Sequence, residues 1–152
     1  MRSNTAFART FLDESPESIL TTVKFFETGV DEQSGIIMKN TKDQMVVMAL
    51  SMRAKQPKRD VVSGTKGYVE INHYPRATEA DITYTASAHE EKHDKITAGD
   101  SDKALEYEVQ DMQRYIDQGH DDGQLQMSHD IAYILTSVRT SWGMKYPFDD
   151  EK

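Results

Sequence analysis

The chain contains no cysteine. That absence excludes a disulfide framework, thiolate catalysis and cysteine-ligated zinc, and it is compatible with a reducing compartment. Long apolar runs are missing as well: nothing approaches the roughly 18 consecutive apolar residues of a membrane span. The N-terminal stretch MRSNTAFARTFLDES lacks the apolar centre of a signal peptide. These absences predict a cytoplasmic protein with no membrane partner. Positive charge is in the minority, with 18 Lys and Arg against 26 Asp and Glu and a formal net charge of −8. The basic cluster from Lys55 to Arg59 is interrupted by Gln56 and Pro57. Binding to a phosphate backbone needs clustered cations that displace counterions, so no nucleic-acid partner is expected. The eight glycines never fall into G-x-G-x-x-G, which removes the dinucleotide-binding fingerprint, and no serine occupies a G-x-S-x-G elbow.

What remains is 152 residues, enough to bury a core without metal or disulfide support, and one domain over residues 1–152 is the expectation. The pattern is strand-like from Ser18 to about Ile96 and helical from Ala104 onward. Strands are predicted at 18–26, 34–40, 44–52, 67–72, 80–86 and around 95–97. Asn40 and Asp43 in the link N-T-K-D predict an antiparallel hairpin, and Gly64 and Gly67 in SGTKG predict another reversal. In QMVVMALSM, Met45, Val47 and Ala49 alternate with Val46, Met48 and Leu50, so both faces of that strand call for cover. Helices can cover one face, and a second sheet, from another copy of the chain, can cover the other.

Leu105, Val109, Met112 and Ile116 recur at helical spacing, with Gly119 as the stop. A second stripe, Met127, Ile131, Leu135, Val138 and Trp142, predicts a helix from Gln126 or Ser128 to Gly143, with Pro147 forbidding continuation. Ala6, Phe7, Phe11 and Leu12 suggest a short N-terminal helix ending before Pro16.

Among possible chemical motifs, HEEKH, His89 to His93, matches H-E-x-x-H. On a helix, that spacing sets two imidazoles on one face for zinc, with Glu90 as general base and Glu106 or Glu108 as a guessed third ligand. Its neighbours are strand-like and polar, so a solvated hairpin tip is the preferred reading, and a small zinc hydrolase is the weakest functional alternative. Gly64 to Gly67 lacks the G-K-[ST] order of a phosphate loop. His73, His120 and His129 are isolated. Asp31, Glu32 and Gln33 sit where one strand ends and the next begins; closely spaced carboxylates there can hold a cation, move protons or accept hydrogen bonds from hydroxyls, although a solvated turn is the simpler reading.

The order SGTKGYVEI (63–71), Pro75-Arg76, ALEYEVQDMQRYI (104–116) and SHDIAYILTSVRTSWGMKYPF (128–148) closely resembles the C-terminal domain of the Gfo/Idh/MocA oxidoreductases, the family of glucose-fructose oxidoreductase, inositol dehydrogenase and dihydrodiol dehydrogenase. FARTFL (7–12) and TGVDEQSGI (28–36) resemble further segments in the same order. The resemblance implies an α+β fold: an open, largely antiparallel sheet with helices packed on one face and the other face available for dimerisation. It also implies a parent enzyme whose separate N-terminal Rossmann domain binds NAD or NADP, with hydride moved to or from a hydroxyl or carbonyl carbon of a sugar, cyclitol or diol.

The chain departs from that family by having no cofactor fingerprint, no Glu-Lys-Pro and no Asp-x-x-x-His. It is expected to begin just inside the first helix of the C-terminal domain, with Asn4 near the position of the family's His or Tyr, either as a fragment or as a truncated or degenerate gene. No cofactor is therefore expected in this chain, and the isolated chain is expected to lack hydride transfer. Asn4, Arg9, Asp31, Glu32 and Gln33 are the expected substrate-binding residues, with Arg9 alternatively structural and no catalytic residue assigned. The expected partners are a second copy of the chain and the parent's Rossmann domain. The main alternative is a free-standing, sheet-mediated dimeric interaction module.

Overall fold

The computed structural model describes residues 1–87 and 90–146. Its contacts divide them into two units, one built from Met1–Gln56 and the segment that begins at Gly123, the other from Pro57–Asp122.

The first unit contains α1 (Arg2–Thr10), β1 (Ser18–Phe25), β2 (Asp31–Lys39), β3 (Met45–Ser51) and a C-terminal helix, Gln124–Ser141. Its sheet is antiparallel in the order β1-β2-β3. The predicted hairpin between β2 and β3 is present, and the side chain of buried Asn40 builds it. Asn40 Oδ1 accepts hydrogen bonds from the backbone N–H groups of Lys42 and Gln44, and its Nδ2 donates to Gln44 Oε1 at 2.7 Å. Asp43 takes the left-handed conformation that the turn requires, with φ 61°.

Strand alternation then sorts the side chains. Ile36 and Met38 of β2 and Met48 of β3 are buried with Ala8 of α1 and with Ile134 and Val138 of the C-terminal helix, while Ile19, Val46, Leu50 and Trp142 pack around them. The opposite row, Leu20, Ile37, Met45 and Val47, is exposed. The expectation that β3 has two apolar faces is therefore met by helices on one face and by an open apolar surface on the other. The C-terminal helix starts two residues before the earlier predicted boundary because Gly123, at φ 86°, reverses the chain there. Pro147 lies outside the described residues.

The second unit contains β4 (Arg59–Gly64), β5 (Gly67–Asn72), β6 (Glu79–Ser87), β7 (Glu90–Thr97) and α2 (Ala104–Gln118); the C-terminal helix of the first unit is α3. Strands β4 to β7 form an antiparallel sheet in sequential order. Strand β4 was not expected, since Val61 and Val62 are too short an apolar signal beside a charged loop. Thr65 and Lys66 make the predicted reversal between β4 and β5, and Gly67 is required there: a Cβ on it would lie 2.1 Å from the Thr83 carbonyl oxygen. Both sheets are open and antiparallel, so the α+β expectation holds, with the strands shared between two sheets.

Two further expectations change. Glu90 to His93 belong to β7 rather than to a hairpin tip, because Glu90 to Thr97 pair along β6. The helix α2 forms and ends at Gly119 in the left-handed conformation, as expected, but its stripe of Leu105, Val109, Met112 and Ile116 is exposed rather than packed. Helical spacing defines a face; it does not supply the surface that covers it.

Candidate functional site

A cavity of about 660 Å³ lies in the first unit. Its walls come from α1 (Arg2 and Asn4), from β2 (Asp31, Glu32 and Ser34), from the end of β3, and from α3 and the residues after it, including Arg139, Trp142 and Tyr146. The same alternation that builds the core places it. On the helix-facing side of β2 the residues run Met38, Ile36, Ser34, Glu32, so the buried row changes from apolar to polar toward the β1–β2 turn. The helices continue the transition: Ala8 of α1 and Val138 of α3 are core, whereas Asn4 and Arg139, one turn or one position away, line the cavity.

Glu32 is the electrostatic centre. Its side chain is 7% exposed, and Oε1 accepts a hydrogen bond from Lys24 Nζ at 2.7 Å while Arg53 Nη1 lies 3.8 Å from Oε2. The Lys24 hydrogen bond lowers its pKa against the opposing effect of burial, and the Lys24 and Arg53 charges add to the lowering. Glu32 is consequently a fixed carboxylate, an acceptor of hydrogen bonds and not a proton donor near neutral pH. Two residues along, Ser34 is also 7% exposed, and its buried Oγ has no hydrogen-bond partner among the described residues. The Arg139 guanidinium sits 5.0 Å from the centre of the Tyr146 ring. Trp142 is held in the wall by a hydrogen bond from Nε1 to Thr21 Oγ1 at 3.0 Å.

Of the residues singled out from the sequence, Asn4, Asp31 and Glu32 meet at this cavity. Asp31 and Glu32 do so from within β2, not from a turn, because the strand begins three residues earlier than its apolar content suggests. Gln33 is on the outer face of the same strand and Arg9 lies elsewhere. Arg9 Nε donates to Asp130 Oδ2 at 2.8 Å and its Nη1 to the Leu12 carbonyl at 2.7 Å, which makes it the tie between α1 and α3. Sequence reading missed Ser34, although its separation of two from Glu32 puts both on one strand face. It also missed Arg2 and Arg139, since nothing local in a core-facing helix marks a lining position.

The H-E-x-x-H reading needs a helix, and Glu90 and His93 are on extended backbone, with His93 Nδ1 3.1 Å from Thr83 Oγ1. His89 lies outside the described residues. Among the described residues no group of three His, Asp or Glu side chains is arranged to share a metal ion.

No protein-family model matches the chain. A stretch of 61 residues, 40% of the chain, is 33% identical to trans-1,2-dihydrobenzene-1,2-diol dehydrogenase of Xenopus laevis and covers 18% of that protein. The structure is similar to that of UDP-N-acetylglucosamine 3-dehydrogenase GnnA from Acidithiobacillus ferrooxidans, with a TM-score of 0.71 at 13% identity, over 92% of this chain and 45% of that one. The chain thus spans less than half the length of either relative. The structural match shows the shared fold, and together with the sequence match it supports the resemblance to the C-terminal domain of a Gfo/Idh/MocA oxidoreductase.

Proposed function

We propose that this chain is the substrate-binding and dimerisation domain of an NAD(P)-dependent oxidoreductase of the Gfo/Idh/MocA type, acting on a CH–OH group of a sugar, cyclitol or diol. The observation that carries the reading is the cavity in which α1, β2 and α3 bring together Asn4, Asp31 and Glu32 on a fold shared with a sugar-nucleotide dehydrogenase. Asp31 and the ionised Glu32 accept hydrogen bonds from substrate hydroxyls, and the Asn4 amide orients a neighbouring one. Lys24 and Arg53 hold the Glu32 carboxylate in place. Arg9 acts only by locking α1 against α3.

The nicotinamide, when bound by the parent enzyme, supplies the hydride chemistry. The described residues of this chain do not fit that group. There is no glycine-rich fingerprint, and every described strand pair is antiparallel, without the βαβ crossover that presents a helix N-terminus to a pyrophosphate. In this reading a separate Rossmann domain brings the cofactor, and the isolated chain is inactive.

Titration of the chain with NADH and NADPH, followed by nicotinamide fluorescence, tests the assignment. No saturable binding is expected; saturable micromolar binding would place the cofactor site on this chain and refute it. The open apolar row of Leu20, Ile37, Met45 and Val47 favours the second reading, a free-standing dimeric module, equally well. The coding sequence upstream separates the two, because an in-frame Rossmann segment supports the enzyme domain.

A further inference from the structure

The turn between β1 and β2 has the wrong composition for a solvated loop. Its sequence is F-E-T-G-V, with Phe26 and Val30 each 38% exposed, where turn chemistry favours small and polar residues. The two are held side by side: the Phe26 N–H donates to the Val30 carbonyl at 2.8 Å, and the Gly29 N–H, at φ 84°, donates back to the Phe26 carbonyl at 2.9 Å. Met52, just past the end of β3, joins them because its N–H donates to the Glu32 carbonyl at 3.0 Å. None of these three belongs to the buried cluster of the first unit. Together they supply the apolar wall of a second cavity of about 570 Å³. Asp31, Glu32 and Met52 line both this recess and the larger cavity, so the two spaces adjoin at the carboxylates.

We propose that the adjoining cavities take a glycoside with an aryl aglycone, its hydroxylated ring in the larger cavity and its aryl group in the recess between Phe26, Val30 and Met52. The proposal rests on the substrate-domain reading and narrows it. Hydroxyls of the sugar find Asp31 and Glu32 as acceptors at the junction, and Trp142 offers an apolar surface to the C–H face of the ring. The recess favours an aromatic group over an alkyl chain, since a phenylalanine ring and a methionine sulfur both make specific contacts with aromatic rings. Its remaining walls are charged, with Glu27 and Arg53 beside the shared carboxylates. A wholly apolar ligand would leave those groups desolvated without partners, whereas a ring joined to a polyol places its polar half against them. A free sugar would fill the larger cavity and leave the apolar wall in water.

Trp142 is the single tryptophan of the chain and lines the larger cavity but not the recess. Its emission therefore reports seating of the sugar ring and ignores aryl groups held elsewhere on the surface. The probes are the methyl and phenyl β-glucosides and the methyl and phenyl β-galactosides. In at least one of the two sugars, we expect the phenyl glycoside to change the emission saturably with a dissociation constant at least about tenfold below that of its methyl counterpart. Val30→Ser and Met52→Ser should each cut that ratio to about threefold or less. Met52 is 78% exposed, so its variant is expected to fold as the wild type does. Equal binding of phenyl and methyl glycosides, or a phenyl preference that survives both substitutions, overturns the aglycone proposal and leaves the substrate-domain reading standing. Failure of all four glycosides to move Trp142 emission refutes both.

Discussion

Replacing Arg9 with alanine strands a buried carboxylate between two helices. Arg9 Nε lies 2.8 Å from Asp130 Oδ2, the two side chains are 15% and 8% exposed, and the partners are 121 positions apart in sequence. Burial pushes the Asp130 pKa up, but hydrogen bonds from Gln126, Arg9 and Ser15 outweigh it and hold the carboxyl below its ordinary value of 3.8. Removing one partner of a buried pair costs about 3–5 kcal/mol, and because Gln126 and Ser15 stay in place the expected loss is about 3 kcal/mol. For a chain of this length that lowers Tm by about 6–12 °C. Unfolding followed by Trp142 fluorescence, in heat or urea, reads the unit concerned. Because the pKa is lowered in the folded state, the pair stabilises fully above the ordinary carboxyl range, and its contribution is lost as pH falls through the folded value. The gap between wild type and Arg9→Ala should accordingly shrink on acidification. An apolar pair, Arg9→Met with Asp130→Leu, should recover most of the loss, since it removes both charges together. A single variant within about 0.5 kcal/mol of wild type, or a gap that widens in acid, refutes this account.

Two other perturbations probe the two sheets separately. Gly67→Ala places a Cβ 2.1 Å from a backbone oxygen of β6 at φ +148°, so a loss above about 2 kcal/mol is expected in far-ultraviolet circular dichroism melts, and an unchanged melt contradicts the β5–β6 register. Val47→Glu inserts a charge into the exposed apolar row of the first sheet, where Val47 is 70% exposed. Light scattering should show a wild-type dimer and a monomeric variant of similar thermal stability; a wild type that stays monomeric at high concentration removes the proposed dimer face.

Much of the secondary structure was legible because its determinants are local. Asn40 carries the chemistry of its turn in its own side chain, Asp43 takes the left-handed conformation there, Gly119 permits the left-handed end of α2, and the Met127-to-Trp142 stripe follows from helical period alone. Strand β4 was not legible, because two valines next to Lys58 and Arg59 are a weak periodic signal that only pairing with β5 makes into a strand. The start of β2 was displaced for a similar reason. Asp31 to Gln33 have turn-like composition, yet pairing with β1 extends the strand through them. That extension decides the site, since it sends Glu32 to the buried face and Gln33 to the open one.

Sequence by itself determined the turns, the strand-like and helical regions and the resemblance to a two-domain oxidoreductase's C-terminal half, which in turn implied the α+β class. Tertiary structure alone decided which polar residues share a space. Arg2, Ser34 and Arg139 lie far apart along the chain and converge on one cavity through the packing of α1 and α3 over β2, while Arg9, close to Asn4 in sequence, is consumed by Asp130. The physical reason is that a lining position is defined by what stands opposite it, and no local pattern records a neighbour more than a hundred residues away.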